Sequence, residues 1–93
     1  MISTSARLRL ASKARLRFDR KATRYMLLYP EKGLVLNETG ADILKLCTGE
    51  HTVAAIVERL AELYAPQPAD AIEREVLVFL QAMVERGLIR SEP

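Results

Sequence analysis

The sequence contains few of the side chains that carry covalent or metal chemistry. Among its 93 residues there is one cysteine, Cys47, one histidine, His51, and no tryptophan. The serines lie near the two ends of the chain, at Ser3, Ser5, Ser12 and Ser91. A hydrolytic triad needs a nucleophile, a base and an orienting group, and a zinc site needs about four ligands. One histidine and one cysteine supply neither, and no glycine-rich phosphate-binding motif is present. The sequence therefore predicts a protein that is not an enzyme and holds no metal or cofactor.

Long apolar runs and paired cysteines are also missing. No apolar run approaches the roughly 18–20 residues of a membrane span, and the start lacks the apolar region of a secretory signal. A single cysteine forms no disulfide within the chain, which is typical of a reducing compartment. Because 49% of the residues are hydrophobic and only four each are glycine and proline, the composition indicates one globular domain. We expect a cytoplasmic protein with no membrane partner.

Charge is distributed unevenly along the chain. Residues 1–24 contain eight Lys or Arg and a single acidic residue, Asp19, whereas residues 25–93 contain six basic and eleven acidic residues. Residues 1–14 carry no turn signals and only weak periodicity. They are predicted to form a basic arm in front of the domain, either without order of its own or ordered by a partner.

Three segments are predicted to be strands. Residues 15–20 alternate strictly between charged and apolar side chains, and residues 24–29 are apolar on both sides. The turn that follows is favoured by Pro30 and by Gly33, which is expected to take a positive φ. In the third strand, 34–36, three apolar residues follow one another, although a strand with one covered face should alternate. Either the protein covers both faces or one is left for a ligand. We interpret this strand as a sheet edge open to a partner peptide.

The pattern changes to a helical period after the third strand. Asn37 and Thr52 can each cap a helix by accepting a hydrogen bond from a first-turn N–H, and apolar residues recur at helical spacing after both. The third and longest helix is predicted over 69–86, ended by Gly87. Three short antiparallel strands followed by three helices predict an α+β domain of winged-helix type over residues 15–90.

The third helix is apolar around most of its circumference. One stripe on the helical wheel consists of Ile72, Val76, Leu80 and Met83. Phe79 extends this stripe on one side, and Val78 falls on the opposite side of the helix. A helix of this kind usually has neighbours on more than one side. In a domain this small, the open sheet edge is the expected second neighbour.

Three kinds of partner fit such a domain. A winged helix with a basic arm suggests nucleic acid. However, the third helix exposes Glu73, Glu75 and Glu85, whereas a recognition helix needs basic or amide side chains. A homodimer partner, or the basic arm itself, could instead cover the open edge. A peptide strand could instead add to that edge, with its side chains against the third helix. This accounts both for the three consecutive apolar residues of the third strand and for the apolar surface around the third helix. We favour the peptide, with a homodimer as the alternative and without nucleic acid.

Two segments resemble the PqqD family closely. These are residues 27–44, LLYPEKGLVLNETGADIL, and residues 50–57, EHTVAAIV. The resemblance runs from about Leu16 to Ile89, and its most specific part is the Leu-Asn-Glu-Thr junction into the first helix. It implies a recognition element for ribosomally made, modified peptides (a RiPP recognition element), which acts as a peptide chaperone in pyrroloquinoline quinone biosynthesis. Such a protein binds the precursor peptide PqqA and presents it to the radical S-adenosylmethionine enzyme PqqE, which cross-links a Glu and a Tyr of the peptide. The iron–sulfur cluster belongs to PqqE, so the resemblance implies no cofactor here.

The resemblance also implies a position for the peptide, beside the third strand and against the third helix. Seven residues are therefore predicted to contact it: Leu34, Val35, Leu36, Glu75, Val78, Phe79 and Ala82. The strand residues are expected to contribute backbone pairing and apolar contact. The helix residues are chosen from wheel geometry, and the side of the helix that carries Leu77 is the alternative.

Overall fold

Six strands and three helices make up the computed structural model, which describes residues 2–92. In chain order the elements are β1 (Arg7–Leu10), β2 (Arg15–Asp19), β3 (Arg24–Tyr29), β4 (Lys32–Val35), α1 (Glu38–Lys45), β5 (Thr48–Thr52), α2 (Val53–Leu63), α3 (Ala69–Glu85) and β6 (Ile89–Glu92). The strands form two antiparallel sheets, in the orders β2-β3-β4 and β5-β1-β6. The α+β class is confirmed, as are the three expected strands and three expected helices. Strands β1, β5 and β6 were not expected.

The first sheet is a meander of two hairpins. In the turn between β2 and β3, the Asp19 carboxylate accepts hydrogen bonds from the N–H groups of Lys21 and Ala22. Between β3 and β4 the loop is Pro30-Glu31, and Glu31 takes the positive φ, at 65°. The expectation that Gly33 takes a positive φ is therefore wrong, because this residue lies within β4.

Glycine is suited to position 33 for a different reason, namely the side chains beside it. A Cβ atom there would lie 3.1 Å from Met26 Cε and 3.3 Å from Leu28 Cδ2. These two side chains of the neighbouring strand β3 therefore occupy the space that a side chain at Gly33 would need.

The second sheet corrects the expectation of an arm over residues 1–14. Strand β1 is its central strand, paired with both β5 and β6, and Leu8 is completely buried. The backbone carbonyls of Thr4 and Ala6 also accept hydrogen bonds from Ala54 and Val53, at the start of α2. A central strand exchanges backbone hydrogen bonds on both sides, which is why this segment is ordered although it lacks turn signals. Of the predicted arm, Met1 lies outside the described residues.

The helix ends agree with the sequence. The side chain of Asn37 accepts a hydrogen bond from Gly40 N–H at 2.7 Å, and Thr52 accepts one from Ala55 N–H at 3.1 Å. Helix α3 ends at Glu85, and the C-cap Arg86 is followed by Gly87 with φ 74°. These three termini thus have the side-chain acceptor or positive-φ residue that such positions favour, whereas α3 begins after Pro68 without a side-chain cap.

A single core lies between the sheets and the helices. The largest fully buried side chains come from both sheets and all three helices: Leu8, Leu27, Ile43, Leu44, Val53, Ile56, Leu60, Val76, Leu80 and Ile89. Among residues 2–92, no helix is long and apolar enough to cross a membrane.

Candidate functional site

Strand β4 lies at the edge of the first sheet, and its hydrogen-bonding direction can be read from its pairing with β3. The N–H of Leu36 donates to the carbonyl of Tyr25 at 3.1 Å, in register with the pairs Leu34–Leu27 and Val35–Met26. Hydrogen-bonded and non-bonded pairs alternate in an antiparallel ladder. The N–H and C=O of Val35 therefore point away from β3, along the outer edge of β4. Within residues 2–92 no strand pairs with that edge.

The side chains of β4 also divide between two faces. Leu36 is buried and Leu34 is half-buried, and both belong to the core. Val35 points to the opposite face and is 49% exposed. The run of three apolar residues is thus explained by one covered face and one open apolar position.

Helix α3 is linked to the residues that flank this strand. Midway along the helix, Glu75 lines the same groove as Asn37, which follows β4 by two residues. Just after the helix, Arg86 donates a hydrogen bond to the hydroxyl of Tyr29 at 3.0 Å, and Tyr29 pairs with Lys32 at the start of β4. The helix thus approaches the first sheet near both ends of β4.

A groove on this face of α3, which Asn37 joins to the end of β4, has a volume of about 580 Å³, and its lining contains no residue of β4 itself. Its lining contains all four helix residues that the wheel selected, together with two others: Asn37, Arg74, Glu75, Val78, Phe79 and Ala82. Val78 is 71% exposed, as its position on the wheel predicts. Phe79 is half-buried, and a Cβ atom at Gly40 would lie 3.1 Å from its ring. The absence of a side chain at Gly40 therefore lets this ring lie against the first turn of α1, where it forms one wall of the groove.

Two lining residues, Asn37 and Arg74, were not among the predicted contacts. Arg74 precedes Val78 by one helical turn, so the same wheel argument could have identified it. Asn37 was assigned only to capping α1, and its side chain does so. Asn37 also lies at the mouth of the groove, because it follows closely after the edge strand β4.

A second groove lies on the other side of Val78. It has a volume of about 530 Å³ and is lined by Ile2, Thr4, Leu77, Val78, Gln81, Ala82 and Glu85. This is the side of α3 that the sequence left as an alternative. Its lining includes the N-terminal residues Ile2 and Thr4 and lacks Asn37, the residue that joins the first groove to the end of β4.

The two side chains with shifted pKa values do not belong to either groove. Burial raises the pKa of the Cys47 thiol to about 12, so this thiol stays protonated at neutral pH and is a poor nucleophile. Burial also raises the pKa of the Tyr64 hydroxyl, as does its hydrogen bond to Asp42. This bond ties the end of α2 to α1, which is a structural role.

The same α+β arrangement occurs in a protein of known structure. A solution NMR structure of the PqqD truncation of Methylobacterium extorquens PqqCD superposes with a TM-score of 0.78 at 30% identity, over 97% of this chain and 95% of that one. That protein is described as a functional, stand-alone RiPP recognition element. The fold of the present chain is therefore that of a RiPP recognition element.

Sequence comparison identifies the family. The model of the family "Coenzyme PQQ synthesis protein D (PqqD)" matches residues 24–89. A PqqA binding protein of Methylococcus capsulatus is 39% identical over 84 residues, which cover 90% of this chain and 87% of the relative. A PqqA binding protein of Rhodopseudomonas palustris is 38% identical over 88 residues, covering 95% and 85%. The chain belongs to the PqqD family.

Proposed function

We propose that this protein is a non-enzymatic peptide chaperone of pyrroloquinoline quinone biosynthesis that binds the precursor peptide PqqA. The relatives named above are PqqA binding proteins, and the protein with the same fold is a RiPP recognition element. The peptide adds to β4 as an extended strand and is then presented to the radical S-adenosylmethionine enzyme PqqE. The chain itself supplies no catalytic group and no cofactor, and its cytoplasmic location stays a prediction.

The observation that carries the proposal is the outward N–H and C=O of Val35 at the unpaired edge of β4, which leads through Asn37 to a groove on α3 with Val78 and Phe79 in its lining. An extended peptide gains backbone hydrogen bonds from such an edge and specificity from pockets for alternate side chains. The edge from residue 32 to residue 37 is about 16 Å long and accommodates about five residues of extended peptide. Apolar peptide side chains on the α3 side would contact Val78 and Phe79. Glu75 and Arg74, at one end of the groove, can select charged side chains.

Substitution Val35→Pro tests the backbone pairing. Proline removes the outward N–H of β4 without touching a hydrogen bond to β3. We expect PqqA affinity, measured by isothermal titration calorimetry, to fall by about tenfold or more, because backbone pairing is lost at the centre of the edge.

The matched control is Phe18→Pro on β2, the other edge of the sheet. The backbone N–H and C=O of Tyr25 point towards β4, where the C=O accepts a hydrogen bond from Leu36. Phe18, directly opposite Tyr25 on β2, is therefore in a non-hydrogen-bonded pair with it, and the N–H of Phe18 points away from β3. This variant should bind PqqA like the wild type. Unchanged affinity in a folded Val35→Pro protein would contradict strand addition at this position.

A homodimer through the same edge is the second candidate. The free edge of β4 can pair with a copy of itself as well as with a peptide, and the two would compete. Nucleic acid is disfavoured because the exposed face of α3 carries Glu73, Glu75 and Glu85.

A further inference from the structure

The face of the first sheet that points away from the helices is exposed and partly apolar. Directly opposed residues of antiparallel strands share a face, so the register places Arg17, Met26 and Val35 in one row across the sheet. A second row contains Arg15 and Leu28. Leu28 is 38% exposed, and both arginines are exposed. These five residues are called the outer face.

Positive charge is concentrated at one side of the outer face. Six exposed cations lie on β2, on the turns beside it and at the start of β3: Lys13, Arg15, Arg17, Arg20, Lys21 and Arg24. None of them forms an ion pair among residues 2–92, where the pairs are Arg9–Glu92, Lys45–Asp42 and Arg90–Glu92. Asp19 lies directly opposite Arg24, and its carboxylate accepts hydrogen bonds from backbone N–H groups of its own turn. Arg15 and Arg17 lie opposite the apolar residues Leu28 and Met26, so this side of the outer face carries a net positive charge.

We propose that the outer face is a docking surface for an acidic protein surface with an apolar centre, carried by the enzyme that receives the peptide. The proposal rests on the proposed function, because it assigns the surface that a peptide-presenting domain would offer to that enzyme. Its occupant follows from charge complementarity: unpaired arginines at the rim attract carboxylates and orient the approach. Met26, Leu28 and Val35 supply the apolar area that the contact buries.

The outer face is separate from the groove but adjoins it. Neighbouring strands lie about 4.8 Å apart, so Arg15 and Arg17 on β2 would lie about 14 Å from a peptide added beyond β4. An added peptide would not neutralise them. Side chains of the peptide alternate between two faces, and those that point away from α3 would lie next to Val35. An enzyme docked on the outer face would thus contact the domain and the peptide together, and it should bind the loaded domain more tightly than the empty one.

Nucleic acid and anionic membranes are also attracted by arginines. A phosphate backbone, however, is bound by cations without an apolar centre. The apolar residues here lie on the body of a sheet, with arginines on the β2 side only, and do not project as membrane-inserting side chains do. An acidic protein surface with an apolar centre would pair with the arginines of the outer face and also bury its apolar residues.

The test compares two charge-reversal variants of the full chain. Arg15→Glu/Arg17→Glu changes the outer face, and Arg59→Glu is the control on α2, where the arginine is exposed and takes part in no ion pair among residues 2–92. Leu28→Asp is a third variant that alters the apolar centre. Each protein is titrated with purified PqqE in the presence and absence of PqqA, at two salt concentrations, and separately with PqqA alone. A random DNA duplex and phosphatidylcholine–phosphatidylglycerol vesicles are titrated in parallel.

We expect Arg15→Glu/Arg17→Glu and Leu28→Asp to weaken PqqE binding by about tenfold or more, with PqqA binding and circular dichroism unchanged. The control should bind PqqE within about twofold of the wild type, and binding should weaken with salt.

Wild-type affinity for PqqE in both outer-face variants would overturn the proposal. The proposal would also be overturned if the folded Arg15→Glu/Arg17→Glu protein lost PqqA binding. The same holds if the outer-face variants lost only DNA or vesicle binding and kept wild-type PqqE binding. If the wild type binds PqqA but not PqqE, the docking surface is refuted while peptide binding stands. If it binds PqqE but not PqqA, the proposed function fails instead.

Discussion

Two exposed valines lie at the proposed peptide site, one on the edge strand and one on the third helix. Val35 points away from the core on β4, and Val78 points away from it on α3. The nearby core positions are filled by other residues: Leu36, which follows Val35, and Val76, two residues before Val78, are both buried. Exposed valines of this kind contribute little to folding, so their effect on peptide binding can be measured separately from stability.

Val78→Asp tests the helix side of the groove. Because Val78 is exposed, the free energy of unfolding should change by only about 0.5 kcal/mol. PqqA affinity should fall by about tenfold, since an unpaired carboxylate would be buried under the peptide. Calorimetry measures the affinity and urea unfolding the stability. Leu63→Asp, at an exposed apolar position at the end of α2, is the control and should leave both unchanged. Equal affinities for the two variants would place the peptide away from this part of α3.

At the scale of elements, the N-terminal strand holds the second sheet together. Both β5 and β6 pair with β1, and they do not pair with each other. Arg7 also donates to the carbonyl of Glu50 at 2.7 Å, and Arg9 forms an ion pair with Glu92 at 3.0 Å. Removing β1 would leave two short strands with unpaired backbone groups and expose the core beneath Leu8. The segment before Arg15 is therefore part of the folded protein.

Leu8→Ala measures this contribution directly. The side chain is completely buried, so truncation leaves a cavity and should lower the free energy of unfolding by about 2–5 kcal/mol. Urea unfolding followed by circular dichroism gives the value. The matched truncation Leu63→Ala, at an exposed position, should cost less than about 0.5 kcal/mol. A midpoint for Leu8→Ala equal to that of the wild type would mean that residues 1–14 behave as a dispensable arm.

The elements that could be predicted from sequence are those formed by neighbouring residues. The two hairpins of the first sheet and the three helices have local signals, such as Pro30 at a turn and Asn37 at a cap. Strands β5 and β6 have the sequences TGEHT and IRSE, which show no strand periodicity, and they are ordered by partners distant in the chain. The alternation Arg7-Leu8-Arg9-Leu10 was the available signal for β1, and it has the same form as residues 15–18.

For the groove, sequence periodicity could identify which residues of α3 lack a core position but not what lies beside them. Val78 stands out on a helical wheel because it opposes the buried stripe. That the first sheet and α1 approach this helix depends on tertiary contacts, namely Arg86 with Tyr29 and Phe79 with Gly40. These contacts join residues far apart in sequence, and no local pattern encodes them. Whether the peptide binds there stays a prediction.

At the scale of the whole molecule, the edge of β4 must serve a peptide without pairing with another copy of the chain. Natural proteins limit such pairing with short edge strands, lysine and proline. Strand β4 has four residues, begins with Lys32 and follows Pro30 closely. The concentrated positive charge on β2 and its turns adds repulsion between two copies that approach with the same sheet. These features favour a monomer whose edge stays free for peptide.

We therefore expect the protein to be monomeric, with a mass of 10.5 kDa, at micromolar concentration. Addition of PqqA should raise the mass by that of one peptide, since one edge and one groove form one site. Size-exclusion chromatography with light scattering measures both masses. Val35→Pro, which removes the outward N–H, should remain monomeric and fail to gain mass with peptide. A species of twice the monomer mass that PqqA dissociates would instead show that two copies pair through β4. In that case peptide binding would be coupled to dissociation, and the apparent affinity would fall as protein concentration rises.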